Sequence, residues 1–337
     1  MAAITAPAVL PRRPLGATGL SVSVLGFGCG AVGGLMVRGS AAEQERTIAR
    51  ALELGVTYFD TAADYGTGVS EQNIGRILRA LKSDALVGTK IRVPDAERGR
   101  IGACITAALD ASLRRMGREQ VDLFQLHNPV TDDGAAPNLS AAAVLEEVVP
   151  ALQALQRAGK TRHFGITGIG DAAALRTVVE SGAIASAQVP YNLLNPSADA
   201  ALPPGYPAHD FGQVMRHAKT HGVGVIGIRV LAAGTLSASM ERHPIGMADV
   251  APIASGADYA EDVARARRFL PLVSEGYAGS LVEAALRYAI SSDAMSTVLI
   301  GMSTFEQFET AAQAVLKGPL PAEALARAAE LQRGFAA

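Results

Sequence analysis

Two cysteines in 337 residues, Cys29 and Cys104, offer no disulfide framework and no zinc-ligand spacing. A chain so poor in cysteine fits a reducing compartment, and a cytoplasmic setting is expected. Neither sign of charge dominates. The 30 basic side chains face 32 acidic ones, which removes the electrostatic case for nucleic acid or anionic membrane as partner. No hydrophobic run is long enough to span a bilayer. The opening MAAITAPAVLPRRP has a short apolar stretch with no basic region before it, so neither signal peptide nor membrane span is predicted. No repeat of fixed period and no linker rich in Gly, Ser or Pro divides the chain. Charged residues are scarce at 18% while hydrophobic ones reach 49%, ample for a sizeable core and unlike a disordered chain.

What is present is alternation. Short β-branched runs at 22–26, 57–60, 85–90, 121–127, 163–167, 187–190, 224–229 and 297–301 read as strands. Helical patterns fall between them at 42–54, 71–81, 100–116, 141–158, 171–181, 210–221 and 280–291, and 304–316 follows the last strand. Several helices end on glycine before the next strand, as in ALELGVTYFD, LQRAGKTRHFGI and AKTHGVGVIGI, where a left-handed glycine reverses the chain. Eight such units predict one (β/α)8 TIM barrel over 1–337, with long βα-loops and an extra C-terminal helix. An open doubly wound sheet is the alternative. Two connections exceed the usual unit: 192–209 after strand six, and 231–279 after strand seven, with a helical piece near 259–270. In barrels such loops sit at the C-terminal face, where ligands bind.

Gly28-Cys29-Gly30-Ala31-Val32-Gly33 matches the dinucleotide fingerprint G-x-G-x-x-G after a strand. That motif needs its helix to begin within the glycine turn, so that the first amides reach the pyrophosphate. Here Gly34 to Ser40 still intervene, and the acidic residue some twenty positions on, Glu53, lies in a helix pattern. The glycines read instead as a loop, or as chain passing close beneath a ligand.

Chemistry concentrates at three successive strand ends. Asp60 ends the second strand in TYFDTAADYG, with Tyr65 in the loop beyond. Lys90 ends the third in ALVGTK, and His127 ends the fourth in VDLFQLHNP. In a parallel barrel these ends share one mouth. A free tyrosine, with a pKa of about 10, exchanges protons poorly near neutrality. A lysine ammonium at about 4 Å stabilises the phenolate by roughly 4 kcal/mol at an effective dielectric near 20, which lowers that pKa by about 3. The aspartate keeps the lysine charged, and the histidine orients a carbonyl oxygen. A Schiff-base role for Lys90, as in a barrel aldolase, is the competing chemistry, but it leaves the Asp60–Tyr65 spacing unexplained.

At these residues the chain resembles the aldo-keto reductase superfamily, from RRPLGATGLSVSVLGFG through GVTYFDTAADYG, SEQNIGRIL, LFQLHNP, FGITG and AQVPYNLLN to IGMSTFEQFETA. The resemblance implies a nicotinamide cofactor, NAD or NADP, bound across the barrel mouth without a Rossmann fold and without a metal. It implies Tyr65 as general acid or base, Lys90 and Asp60 tuning it, and His127 orienting the substrate carbonyl. Gln188 then matches the residue that holds the nicotinamide carboxamide. Thr167 falls where the family usually has serine, and Gly168 where it usually has asparagine. Ile228 replaces an aromatic that many members stack on the ring. Beside it, Arg229 either approaches the pyrophosphate or pairs with a carboxylate. Gly28, Leu231, Gly301, Ser303 and Gln307 complete the implied cofactor contacts.

Thr304 and Gln307 fit a capping box at the start of the last barrel helix, a place suited to phosphate. Members preferring NADP usually carry Lys or Arg here. This chain has none between Gly301 and Leu316, and Glu306 lies in the first turn, which favours NAD. The IGMS and IRVLAAGTL segments resemble the branch of L-galactose, L-fucose and D-threo-aldose 1-dehydrogenases. The expected activity is oxidation of an aldose at C1 to a lactone, on a small sugar or other carbonyl or alcohol. An NADPH-dependent aldehyde or ketone reductase is the alternative, and a non-catalytic cofactor-sensing subunit a third reading.

Overall fold

The structure, a computed structural model, describes residues 9–336. The first eight residues of the opening segment, and Ala337, lie outside the described residues. Eight parallel strands close into a barrel in chain order: β1 Leu25–Gly28, β2 Tyr58–Asp60, β3 Leu86–Ile91, β4 Val121–Leu126, β5 Thr161–Thr167, β6 Ser186–Pro190, β7 Gly224–Ile228 and β8 Met295–Gly301. Helices wrap it: α1 Ala41–Glu53, α2 Val69–Ala80, α3 Ile101–Met116, α4 Val149–Arg157, α5 Ala172–Glu180, α6 Val214–Thr220, α7 Leu281–Ala289 and α8 Phe305–Leu316. An extra helix, α9 Ala322–Arg333, follows the last unit. The expected helix-ending glycines Gly55, Gly159 and Gly222 take φ of 82°, 72° and 71°, the left-handed region.

The expected strand 22–26 is two elements. Ser21–Ser23 pairs antiparallel with Arg12–Pro14, and only after Val24 does the chain enter the barrel as β1. Hydrophobicity cannot show this break, because both pieces are buried. The hairpin closes the N-terminal end: Leu15, Leu20 and Val22 pack with Tyr58, Leu123, Ile226 and Leu299 inside the barrel. The larger apolar cluster lies between the strands and the helices.

Two helices also depart from pattern. Before α4 the helix widens into a π turn at Val144–Val148, next to Pro150, whose nitrogen has no proton to continue the α ladder. The expected 210–221 helix starts only at Val214, because Gly212 and Gln213 both take left-handed φ. Among the described residues no helix is long and apolar enough to cross a membrane, and no group of three or more His, Cys, Asp and Glu is placed to hold a metal.

Candidate active site

Asp60 is the hub of the barrel mouth. Its strand alternation points Tyr58 and Asp60 to the same inner face, two residues apart. Tyr58 Oη donates to Asp60 Oδ2 at 2.8 Å. The ring has room because β3 carries Gly88 beside it: a Cβ there would stand 2.2 Å from the hydroxyl. Across the barrel, Gln188 Nε2 donates to the same Oδ2 at 2.6 Å. Lys90, buried on β3, gives its ammonium to Asp60 Oδ1, to the Thr61 carbonyl at 2.8 Å and to Tyr65 Oη at 3.3 Å. Burial works against the Lys90 charge, but Asp60 and then Tyr65 outweigh it and hold the ammonium above its ordinary pKa.

Tyr65 differs from expectation. Burial raises its hydroxyl above the ordinary phenol range; Lys90 pulls the other way but does not win, and Asp60 adds to the rise. The ammonium that was to acidify the phenol is already neutralised by Asp60, so much of its field never reaches Tyr65. The resting group is a phenol.

His127 meets Tyr65 edge-on, with ring centroids 6.0 Å apart. Burial lowers its pKa, Asp64 resists, and Lys90 and Arg92 add to the fall, so the imidazole is neutral at pH 7. Asp64 Oδ2 stands 3.3 Å from His127 Nδ1 and 3.9 Å from Arg92 Nε. Neither Asp64 nor Arg92 was singled out from the sequence, nor was Tyr58. Tyr58 was findable from its position two residues before Asp60 on a strand, and Arg92 from the same step beyond Lys90.

Asp60, Tyr65, Arg92 and His127 open onto a cavity of about 690 Å3, which Gly28, Thr167, Gln188, Ile228, Arg229, Leu231, Gly301, Ser303 and Gln307 also line. Thr167 Oγ1 is buried there without a hydrogen-bond partner. Arg229, in a left-handed conformation at φ 55°, makes no ion pair among the described residues; its guanidinium reaches only the Ala251 carbonyl, at 3.2 Å. The carboxylate pairing considered for it is thereby excluded. Arg242, from the long loop after β7, is likewise bonded to carbonyls alone, those of Met247 at 2.6 Å and Ala233 at 2.8 Å. That loop straps the mouth. Met247 N donates to Val32 O at 3.0 Å, and Arg38 donates to Ile245 O at 2.5 Å. The 192–209 loop, by contrast, contributes nothing to the cavity wall; Gln332 of α9 bonds its Leu193 carbonyl at 3.0 Å.

The glycine run after β1 serves packing. A Cβ on Gly33 would lie 2.4 Å from Met302 N, and one on Gly28 would lie 2.6 Å from Ile300 O, so both are pressed against the end of β8 while also lining the cavity. At that end Thr304 Oγ1 accepts from Gln307 N at 3.3 Å, the first half of the expected capping box, while Gln307 Oε1 accepts from Ser303 N at 2.7 Å, one residue before the cap rather than from Thr304 N. Ser303 Oγ donates to Gly33 O at 2.6 Å. Two charged residues of α1 reach this helix start, which reading α8 alone did not reveal. Glu43 accepts from Phe305 N at 3.3 Å, and Arg46 lies over the Phe305 ring, 3.8 Å from Glu306.

A barrel of this topology carrying this mouth matches the model of the aldo/keto reductase family over residues 24–333. The chain belongs to the aldo/keto reductase family. It is 30% identical to the L-galactose dehydrogenase of Arabidopsis thaliana over 320 residues, 90% of this chain and 87% of that one. It is 28% identical to the L-glyceraldehyde 3-phosphate reductase of Escherichia coli K12, over 82% of this chain and 80% of the relative. Among solved structures it is similar to the aldo-keto reductase AKR11C1 from Bacillus halodurans in its holo form, with a TM-score of 0.70, 27% identity and 96% of both chains covered. As a member of this family the chain is an oxidoreductase of the NAD(P)H-using kind.

Proposed function

We propose that this aldo/keto reductase oxidises an aldose at C1, as its lactol, to the lactone, with NAD as the preferred nucleotide. One observation carries the reading: Tyr65, Asp60 and His127 line a single cavity wall, with Lys90 buried behind them and bonded to Asp60 and Tyr65, all four coming from three strand ends. The cavity suits a nicotinamide dinucleotide. Thr167 Oγ1 lacks a partner, and Gln188, its nitrogen held by Asp60, keeps an oxygen to accept from a carboxamide N–H. Ile228 offers apolar surface to the ring, and Arg229 and Arg242, free of carboxylates, suit a diphosphate.

The bound nicotinamide supplies the hydride acceptor. The residues manage the proton. Tyr65 takes it from the C1 hydroxyl, Lys90 stabilises the phenolate that must form first, and His127 fixes the substrate oxygen. Because the phenol titrates above its ordinary range, the phenolate is scarce at neutrality. Oxidation should therefore climb with pH through 9 without a plateau, about tenfold per unit. A pH–rate profile of kcat/KM that levels near pH 7 would contradict this.

The nucleotide preference rests on charge at the α8 N-terminus. Glu43 already occupies a backbone donor there and Glu306 sits in the first turn, two carboxylates where a 2′-phosphate would need cations. The similarity to L-galactose dehydrogenase favours the same direction. Arg46 supports the second reading, an NADPH-dependent reductase, because it is a cation beside that helix start, over the Phe305 ring. Assay of the purified protein with NAD and NADP against aldoses and aldehydes separates the two. Aldehyde reduction with NADPH, and no aldose oxidation, overturns the dehydrogenase reading. In the same assay Tyr65→Phe is expected to keep nucleotide binding and lose roughly 10²–10⁴-fold in turnover; near-wild-type turnover would remove Tyr65 from the chemistry.

A further inference from the structure

We propose that Arg92 sets the substrate class of this site: its guanidinium donates to a neutral hydroxyl on the carbon next to the reacting carbon. The mouth then favours aldoses, whose C2 carries that hydroxyl, over plain aldehydes. The inference rests on the reading of Tyr65 and His127 as the reacting mouth, but on neither direction of the reaction.

The order of strands around the barrel divides the mouth. The groups suited to the nucleotide, from Thr167 to Gln307, stand at or beyond the ends of β5 to β8, and Gly28 ends β1 beside β8. The arc from β2 to β4 remains for the substrate. Its cavity wall consists of Asp60, Tyr65, Arg92, His127 and Pro129. Asp60 is committed to Tyr58, Gln188 and Lys90. Tyr65 moves the proton and His127 orients the reacting oxygen. Arg92 is the remaining polar side chain on that arc.

Backbone bonds on either side of Arg92 fix it beside His127. His127 N donates to Ile91 O at 2.7 Å. Asn128 Nδ2 donates to Val93 O at 2.9 Å, while its Oδ1 accepts from Val93 N at 2.7 Å. That clamp gives the asparagine of LFQLHNP a role its sequence context left unassigned. Continuing the strand alternation puts Arg92 on the same face as Lys90, one step nearer the rim. Its side chain is 43% exposed, and its one ionic neighbour among the described residues is Asp64, at 3.9 Å, beyond hydrogen-bond reach. So exposed a pair contributes little. The guanidinium keeps its donors for a substrate oxygen.

Charge decides between a hydroxyl and an anion. Lys90 faces Asp60, Arg92 faces Asp64, and His127 is neutral at pH 7, so the arc carries no net positive charge. An anion gains little there, whereas a hydroxyl oxygen needs only a donor.

The test compares the reduction of 2-hydroxypropanal and propanal, which differ by that hydroxyl alone, in the wild type and in Arg92→Leu, with NADH and with NADPH. The ratio of their kcat/KM values is expected to fall about tenfold in the variant. The aldehydes differ in intrinsic reactivity, and a partly misfolded variant contains less active enzyme, but both effects cancel when the two ratios are compared. A fall smaller than threefold overturns the proposal, as does a wild type that leaves 2-hydroxypropanal unreduced. Glyoxylate, whose aldehyde adjoins a carboxylate, is the third probe. If Arg92→Leu lowers kcat/KM for glyoxylate more than for 2-hydroxypropanal, Arg92 is an anion site and the proposal is overturned. An enzyme that shows the tenfold fall yet oxidises no aldose refutes the dehydrogenase reading alone, so the two failures are separate.

Discussion

At the scale of single residues, the site is governed by one buried ion pair. Lys90 and Asp60 have side chains 0% and 4% exposed, and removing one partner of such a pair strands the other charge. Lys90→Met is expected to cost about 3–5 kcal/mol of stability in addition to its loss of turnover. Combining it with Asp60→Asn should recover part of the stability and none of the activity. Urea denaturation of both variants checks this, and a cost below about 1 kcal/mol would mean that Tyr58 and Gln188 alone satisfy Asp60. The sequence made Asp60, Tyr65, Lys90 and His127 visible because strand ends in a parallel barrel must meet. It could not show that Asp60 neutralises the lysine before the lysine acts on Tyr65, since that depends on distances of an ångström. Asp64 was invisible for another reason: an acidic residue in a polar loop carries no signal until its imidazole partner is in place.

At the scale of elements, the strand–helix alternation was legible because the barrel strands are short and apolar and several helices stop at a left-handed glycine. Errors arose where a boundary depends on pairing rather than on burial. Ser21–Ser23 and β1 read as one strand because both are buried, although one pairs antiparallel at the floor and the other parallel in the barrel. The same limit hid a second role of Gly33, which lines the cavity and is also a contact between the loop after β1 and the end of β8. Gly33→Ala must push the Met302 backbone away, so a loss of about 1–3 kcal/mol in stability is expected, with weaker nucleotide binding. Thermal denaturation and a nucleotide titration would register both; an alanine variant as stable as wild type would show that the two loops slide freely.

At the scale of the whole molecule, the proposed nucleotide preference draws on two remote segments together. The start of α8 and the side chains of α1 present Glu306, Glu43 and Arg46 to one spot. Glu306→Lys should shift the NADP-to-NAD ratio of Kd by about tenfold towards NADP, read by titration with both reduced nucleotides. An unchanged ratio would place the discriminating charge elsewhere. The strap over the mouth has a consequence of its own for how this barrel can be altered. Its bonds run from Ile245 and Met247 to Arg38 and Val32, so the loop after β7 and the loop after β1 form one graft, not two. A chimaera that imports residues 231–257 from a relative while keeping its own 31–38 would leave the Arg38 guanidinium and the Val32 carbonyl unmatched. Recombination, in the laboratory or in descent, should therefore exchange these two stretches as a pair, although some two hundred residues separate them along the chain.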